Sequence, residues 1–421
     1  MPGTQSVHSP AGAGGSKGKL SKVIIVGAGP SGLLLSILLA RQGISTTLLE
    51  QTSKLDEQPR AAHYAPPAVQ ILRKAGVLDD VAARGFKPST FCWRKVDGSL
   101  IAKMTFPDNP DAMVVLPLDR LGKVLYAHAQ KYEPVAKVLW SHRVVDIGQD
   151  EKKAWAKVET PEGEKVFEAD YIVGCDGGNS KIRRALFGEM NFPGETLDAQ
   201  IIATNVYYDF TKFGYLDTNY IVDPDNWHMV AKIANDGLYR VSYCDKPGMT
   251  AEEYKQRQPM RFQEFLPGSP KPGEYKITNI SPYKLQQRCA PKFRVGRFIL
   301  AADAAHLCNP FGGLGLTGGI ADVGSLYDCL VGIHKGLAED SILDKYAEIR
   351  RKIYTEVIDP SSRENFFRLS KNDPEKCAQT DPLLLDCQKA EKDPKLALEM
   401  SMFLNILLHD FTQYYTSRPS I

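Results

Sequence analysis

The sequence predicts an α/β protein: a parallel sheet begun near the N-terminus and completed late in the chain, a mostly antiparallel sheet inserted between, and a C-terminal helical region. Three observations carry this. The apolar, β-branched run Val23 to Val26 leads directly into Gly27-Ala28-Gly29-Pro30-Ser31-Gly32 and a helical stretch. Arg94 to Met104 and Ile201 to Cys244 change texture, alternating apolar and polar residues between turn signals. A strand, glycine-rich loop and helix return from Phe298 to Leu330.

Length and composition set the bounds. The chain has 421 residues, 43% hydrophobic and 24% charged, with a net charge of +2. That suits two or three globular domains and excludes a disordered or fibrous chain. Basic and acidic residues are mixed throughout, which argues against nucleic acid as a partner. None of the eight cysteines falls in a Cys-x-x-Cys pair, so no metal site is expected and the thiols read as those of a reducing compartment. Residues 1–20, rich in Gly, Ser, Ala and Pro, read as a flexible tail, no membrane span is expected, and the expected location is cytoplasmic.

In chain order, Val23–Val26 is a buried strand, Leu33–Arg41 a helix closed by Gly43, and Thr46–Leu49 a second strand ending at Glu50. Within this βαβ unit Gly27 permits a tight turn, Gly29 lets backbone approach a pyrophosphate, and Gly32 lets helix and strand pack closely. Glu50 stands where a carboxylate accepts hydrogen bonds from a ribose, so the unit reads as a dinucleotide site, NAD or FAD. Tyr171–Gly174 is a strand ending in Asp176-Gly177, with Ser180 in N-cap position before a short basic helix carrying Arg183 and Arg184. Phe298–Ala302 delivers Asp303 to a loop containing His306, Pro310 and Gly312 to Gly319. This loop repeats the spacing as Gly313-x-Gly315-x-x-Gly318, but it does not directly follow its strand and no terminal acid follows, so it is not a second dinucleotide unit. From Leu343 the pattern is helical, interrupted by the charged stretch Lys371–Lys395, and Met400–Leu408 reads as a buried helix.

Together the early glycine motif, the central Asp-Gly and the late Asp-Ala-Ala-His…Pro…Gly-rich loop resemble the single-component FAD-dependent aromatic hydroxylases, the relatives of para-hydroxybenzoate and salicylate hydroxylases. The resemblance runs in order from Lys22 to Leu330. It implies FAD as cofactor, with Gly27, Gly29 and Gly32 on its pyrophosphate, Glu50 on its adenosine ribose, Arg60 in contact with it, Asp303 on its ribityl chain, and Pro310, Gly313, Gly315 and Leu316 beside its ring. Asp176 would serve both FAD and NAD(P)H. Arg120 is a further cofactor candidate, although Leu118 occupies the position where the family often has Gln or Arg. Ala302 stands where the family usually has Gly, a change that matters if the backbone there needs positive φ. His306 reads as a structural residue of the turn.

The resemblance further implies that NAD(P)H reduces the flavin, O2 adds at C4a, and the hydroperoxide hydroxylates a small phenol or aromatic acid. Substrate contacts should come from the inserted sheet. Asn235-Asp236-Gly237 reads as a three-residue hairpin loop that pairs Lys232 with Arg240, Val230 with Ser242 and His228 with Cys244 on one polar face. Arg240, His228 and Pro310 are accordingly the expected catalytic residues. The expected division is 21–92, 107–192 and 286–335 for FAD, 93–106 and 193–285 for substrate, and 336–421 for the helical region. An FAD-dependent alkene epoxidase or reductase, and a non-enzymatic relative like the Rab GDP-dissociation inhibitors, are the alternatives; the oligomeric state is open.

Overall fold

The computed structural model describes residues 20–416 apart from Pro59 and Ala61. The expected N-terminal tail lies outside this range except for Leu20. The first α/β portion comprises β1 (Lys22–Val26), α1 (Pro30–Ala40), β2 (Ser45–Leu49), β3 (His63–Tyr64), α2 (Pro66–Lys74) and α3 (Leu78–Arg84). After β4 (Thr90–Arg94), β5 (Leu100–Thr105) and β6 (Val114–Val115) come α4 (Leu118–Gln130), β7 (Ala136–Leu139) and a meander of β8 (Arg143–Gln149), β9 (Ala154–Thr160) and β10 (Gly163–Ala169). The centre of the chain holds β11 (Tyr171–Gly174), α5 (Lys181–Phe187), β12 (Gly194–Tyr207), β13 (Thr218–Ile221), β14 (His228–Lys232), β15 (Leu238–Asp245), α6 (Ala251–Phe265) and β16 (Lys276–Cys289). Then follow β17 (Arg294–Val295), β18 (Phe298–Leu300), β19 (His306–Leu307), α7 (Leu314–His334), α8 (Ile342–Ile353), α9 (Asp359–Ser370), α10 (Cys377–Thr380), α11 (Pro382–Ala390) and α12 (Pro394–Met402).

Two sheets organise the molecule. The first has the order β17-β18-β11-β1-β2-β7, with every pair parallel except β17 with β18. Central β1 is covered on both faces, which is why its four apolar residues are consecutive. Helix α1 is buried from Gly32 to Ala40 because α4 and α7 flank it on the side away from the sheet. The second sheet has eight strands, β19-β16-β12-β15-β14-β13-β4-β5, and one parallel pair, β13 with β4, brought together from opposite ends of a long sequence separation.

Four expectations change. The single strand-like segment Arg94–Met104 is two strands, β4 and β5, joined by a turn at residues 95–99. The charged stretch Lys371–Lys395 contains α10 and α11; the Asp381 carboxylate caps α11 by accepting from the Leu383 and Leu384 N–H groups. The Met400–Leu408 segment is the end of α12 followed by a 3-10 turn in which Leu407 is buried while Phe403 and Ile406 are exposed. Helix α7 has the length and apolarity of a membrane span, contrary to the expectation that no segment reaches them, but it is almost wholly buried against α1, α2 and α8.

Candidate active site

The N-terminal glycine loop has the geometry of a phosphate cradle. Gly27 has φ +103°, and a Cβ there would lie 2.4 Å from the Cys175 carbonyl oxygen. The loop is thus pressed against the segment that carries Asp176. At Gly32 a Cβ would meet the Gly27 carbonyl oxygen at 2.0 Å, so only glycine lets α1 start this close to β1. Gly29 differs: nothing lies within 4 Å of its Cβ direction, leaving the backbone approachable from outside. Glu50 closes the edge of the cradle. Its Oε2 accepts from the Ala28 N–H at 2.9 Å, and its Oε1 accepts from the N–H and hydroxyl of Thr52.

The Asp303 turn packs beside this cradle. Ala302 adopts φ +56°, the left-handed region, so the departure from the usual glycine bears on a strained backbone. Its N–H donates at 2.9 Å to Asp322 Oδ2, which also meets His306 Nε2 at 2.9 Å, while Asp322 Oδ1 accepts from Arg350 Nε at 2.6 Å. All three side chains are fully buried. Burial opposes ionisation of Asp322, but Arg350 and His306 outweigh it and hold the carboxyl below its usual range. Arg350 also donates to the carbonyls of Leu407 and Gly318, which ties the C-terminal segment and the first turn of α7 to the same turn. His306 is therefore structural here, lying 4.9 Å from the Tyr354 ring centroid and 5.9 Å from that of Phe293. Sequence reasoning missed Asp322 and Arg350. The available signal was that Asp322 is the sole charged residue between Gly312 and Tyr327, in an otherwise apolar helix.

Asp303 is exposed at its turn, with protein packed closely around its carboxyl. Desolvation pushes that carboxyl above its usual range, and His306 and Arg60 pull it the other way. Arg60 is thus within electrostatic reach of Asp303, although its contacts are with Gln58 and Asp56. Asp176 uses Oδ2 to accept from Lys181 N–H at 2.7 Å and Ile182 N–H at 3.2 Å at the start of α5. Its Oδ1 is buried with no hydrogen-bond partner among the described residues, and burial raises its pKa. Arg183 joins the two aspartate loops, donating to the carbonyls of Gly178 and Ala304. Gly313, at φ +66°, caps α7, Gly315 borders Cys308, Leu316 packs partly on the core, and Pro310 is exposed. Arg120 points instead to the hairpin tip, with its guanidinium 2.7 Å from Asp236.

The inserted hairpin is out of its expected register by one residue. Lys232 pairs with Tyr239, Ala231 with Arg240, Val230 with Val241 and His228 with Tyr243. His228, Val230 and Lys232 therefore share the face of Tyr239, Val241 and Tyr243, opposite to that of Arg240. His228 lies fully buried against Phe265 of α6, its ring centroid 4.4 Å away, and burial lowers it to about 4. Its expected place beside Arg240 is wrong, and it belongs to the packing of α6 on the sheet.

Arg240 stays on the other face, its Nε donating to Asn205 Oδ1 at 3.0 Å. Burial pushes its guanidinium down, with Tyr283 favouring the charged form and Arg60 opposing it. On this face Phe91, Trp93, Met104 and Tyr220 wall a cavity of about 520 Å³ that reaches Gly312 and Leu314 on one side and α9, α11 and the α12 end on another. Trp93 and Tyr220 stack at 5.7 Å, and Phe91 meets Phe106 edge-on at 4.7 Å. An aromatic cavity that ends at a glycine loop beside a nucleotide cradle can hold a planar apolar molecule against a flat cofactor. The open Gly29, the orphaned Asp176 Oδ1 and the exposed Asp303 carboxyl fit FAD: an anion on the first, a donor for the second and hydroxyls for the third.

Comparison with known proteins agrees. The FAD binding domain family matches residues 21–361. The para-nitrophenol 4-monooxygenase of Pseudomonas sp. strain WBC-3 is 35% identical over 84% of this chain and 89% of its own length. The 6-hydroxy-3-succinoylpyridine 3-monooxygenase of Pseudomonas putida is 36% identical over 84% and 90%. A crystal structure of p-nitrophenol 4-monooxygenase from Pseudomonas putida DLL-E4 superposes with a TM-score of 0.86 at 35% identity, covering 92% of this chain and 98% of that one. The chain belongs to the FAD binding domain family and is an FAD-dependent aromatic monooxygenase.

Proposed function

We propose that this flavoprotein hydroxylates a small phenol or aromatic acid held in the cavity between the eight-stranded sheet and the Gly312–Leu316 loop, with NAD(P)H and O2 as co-substrates. The observation that carries the reading is the aromatic cavity of Phe91, Trp93, Met104, Phe106 and Tyr220 meeting Gly312. When bound, FAD supplies electron transfer from NAD(P)H and activation of oxygen. Gly27, Gly29, Gly32 and Glu50 hold its adenosine diphosphate half, while Asp176, Asp303 and Arg60 hold the riboflavin half. Backbone N–H groups from Leu314 to Leu316, at the positive end of α7, would stabilise negative charge on a flavin ring held beside them. The parallel sheet carries the cofactor and the inserted sheet the substrate. The apolar walls keep water away from the activated oxygen. Arg240, on the cavity face of the sheet, stabilises the negative charge that builds on the ring's hydroxyl oxygen as the ring is attacked.

The test is to supply purified, FAD-loaded protein with NADPH or NADH and a panel of phenols and aromatic acids, following oxygen uptake and hydroxylated product. A phenol that speeds NAD(P)H oxidation and emerges hydroxylated is expected. Arg240→Ala should keep FAD but release most reducing equivalents as hydrogen peroxide. No hydroxylated product from any member of the panel would refute the substrate reading, and full coupling in Arg240→Ala would refute the role of that residue.

A further inference from the structure

Between Phe91 of the cavity wall and the glycine loop, just behind the residues that line the cavity, stands a titratable side chain with no role so far. His63, in β3, has its carbonyl oxygen 4.0 Å from where a Cβ on Gly313 would stand, so it borders the loop beside which the flavin ring is proposed to lie. Its ring is edge-on to Phe91 of the cavity wall, with centroids 6.3 Å apart. Its Nε2 is 3.3 Å from the Thr218 hydroxyl, and its Nδ1 has no hydrogen bond among the described residues. Burial lowers the imidazole to about 4, with Asp217 pulling it upward, so the ring is neutral at pH 7 and offers one acceptor nitrogen. Thr218 pairs with both Phe91 and Ala231, and Ala231 pairs with Arg240. The partner of His63 and Arg240 are therefore on one face, two strands or roughly 10 Å apart, a gap of the size of one substituted ring.

Resting on the reading of the cavity as the substrate site, we propose that His63 accepts a hydrogen bond from the ring hydroxyl of the substrate and so selects hydroxylated rings over rings that lack the donor. Thr218 fixes the imidazole through Nε2 and leaves the other nitrogen to the substrate. A cleft built to hydrogen-bond a hydroxyl discriminates strongly against the analogue without one, because the acceptor is then left dry and unpaired.

Two probes of nearly the same shape test this at about pH 5.5, where the phenol keeps its proton and the imidazole stays neutral: 4-nitrophenol, which carries the donor, and 4-nitroanisole, which does not. Binding is read from the change in flavin absorbance on titration, with no turnover, and FAD content reports that each variant is folded. The wild type should bind the phenol at least about tenfold more tightly than the ether. His63→Leu should abolish most of that preference by weakening phenol binding, with the ether within about twofold of wild type, while His63→Asn, which keeps an acceptor, should retain part of it. If His63→Leu loses its flavin, Thr218→Val takes its place and should also narrow the preference. An undiminished preference in these variants overturns the assignment of His63 and leaves the cavity reading standing. A wild type that binds neither probe overturns both.

Discussion

At Gly27–Gly32 and again at Gly313–Gly318 the chain spaces its glycines as Gly-x-Gly-x-x-Gly, and the surroundings of the two loops have little in common. In the first, the outer glycines are trapped by backbone, Gly27 against Cys175 and Gly32 against the Gly27 carbonyl, while Gly29 between them faces open space. In the second, Gly315 is in ordinary contact with Cys308 Sγ at 3.5 Å, and Gly318 faces the flexible tip of Ile358 at 2.6 Å. The first loop is rigid at both ends and bare in the middle, as an anion cradle must be. The second is a helix start whose later glycines, Gly318 and Gly319, are wedged between Ile358 and the Ala302 turn and hold two parts of the protein together. Identical spacing means different things because the neighbour of each glycine, backbone or side-chain tip, decides what a methyl group there would displace.

The largest effect should come from Gly32→Ala. Neither the Gly27 carbonyl nor the start of α1 can retreat by the ångström or more a methyl needs, so folded, flavin-loaded protein should be lost, read as soluble yield and FAD content. Gly318→Ala, at the matching position of the second loop, should cost about 1–3 kcal/mol, since Ile358 can change rotamer. Equal damage from the two would erase the distinction between the loops.

Next in size is the anchor under the second loop. Asp322→Ala leaves Arg350 buried without its carboxylate and the Ala302 N–H without its acceptor, and removal of one partner from a buried ion pair costs about 3–5 kcal/mol. Urea unfolding of the variant should show that loss. A change under 1 kcal/mol would mean that the second loop is held by packing alone.

A third comparison separates folding from cofactor binding. Gly29 has φ −69° and ψ 177°, a conformation open to any residue, with no protein atom within 4 Å of its Cβ direction. Gly29→Val should therefore leave stability without FAD within about 0.5 kcal/mol of wild type, as at an ordinary surface site. Its affinity for FAD should fall about a hundredfold, or roughly 2.7 kcal/mol. Full FAD in the purified variant would show that the pyrophosphate does not approach Gly29.

What could be read in the sequence follows the range of the interactions concerned. The cradle was legible because strand, loop, helix and Glu50 lie within 29 residues, from Lys22 to Glu50, and each glycine answers to a local neighbour. The hairpin register was not. Ile233 and Ala234 both donate to the Leu238 carbonyl, at 2.9 and 3.3 Å, so an additional residue is accommodated on the first strand and every side chain beyond it changes face. That one-residue shift moved His228 from the substrate face to the core beneath α6. The aromatic cavity was hidden for a different reason: it needs β4 beside β13 and the C-terminal helices beside both, contacts that no local pattern announces. Asp322 and Arg350 are likewise 28 residues apart and meet only through the packing of α7 on α8.

The smallest expected effect has the opposite sign. Ala302 is held at φ +56°, where an L-residue is disfavoured by about 1–2 kcal/mol, and glycine removes that strain. Glycine also loses more chain entropy on folding, about 0.5–1 kcal/mol, so Ala302→Gly should stabilise the protein by about 0.5–1 kcal/mol, a rise in Tm of a degree or two at this size. The bond from the Ala302 N–H to Asp322 is made by backbone and survives the change. The Ala302 methyl is also what a Cβ on Gly319 would strike, at 2.7 Å. Gly319→Ala alone should therefore destabilise by about 1–3 kcal/mol, and adding Ala302→Gly should recover more than the 0.5–1 kcal/mol that Ala302→Gly contributes alone, a non-additivity expected of residues in contact. If the two changes simply add, the methyl and Gly319 do not press on each other, and the strain at Ala302 is a property of its own turn rather than of the contact with α7.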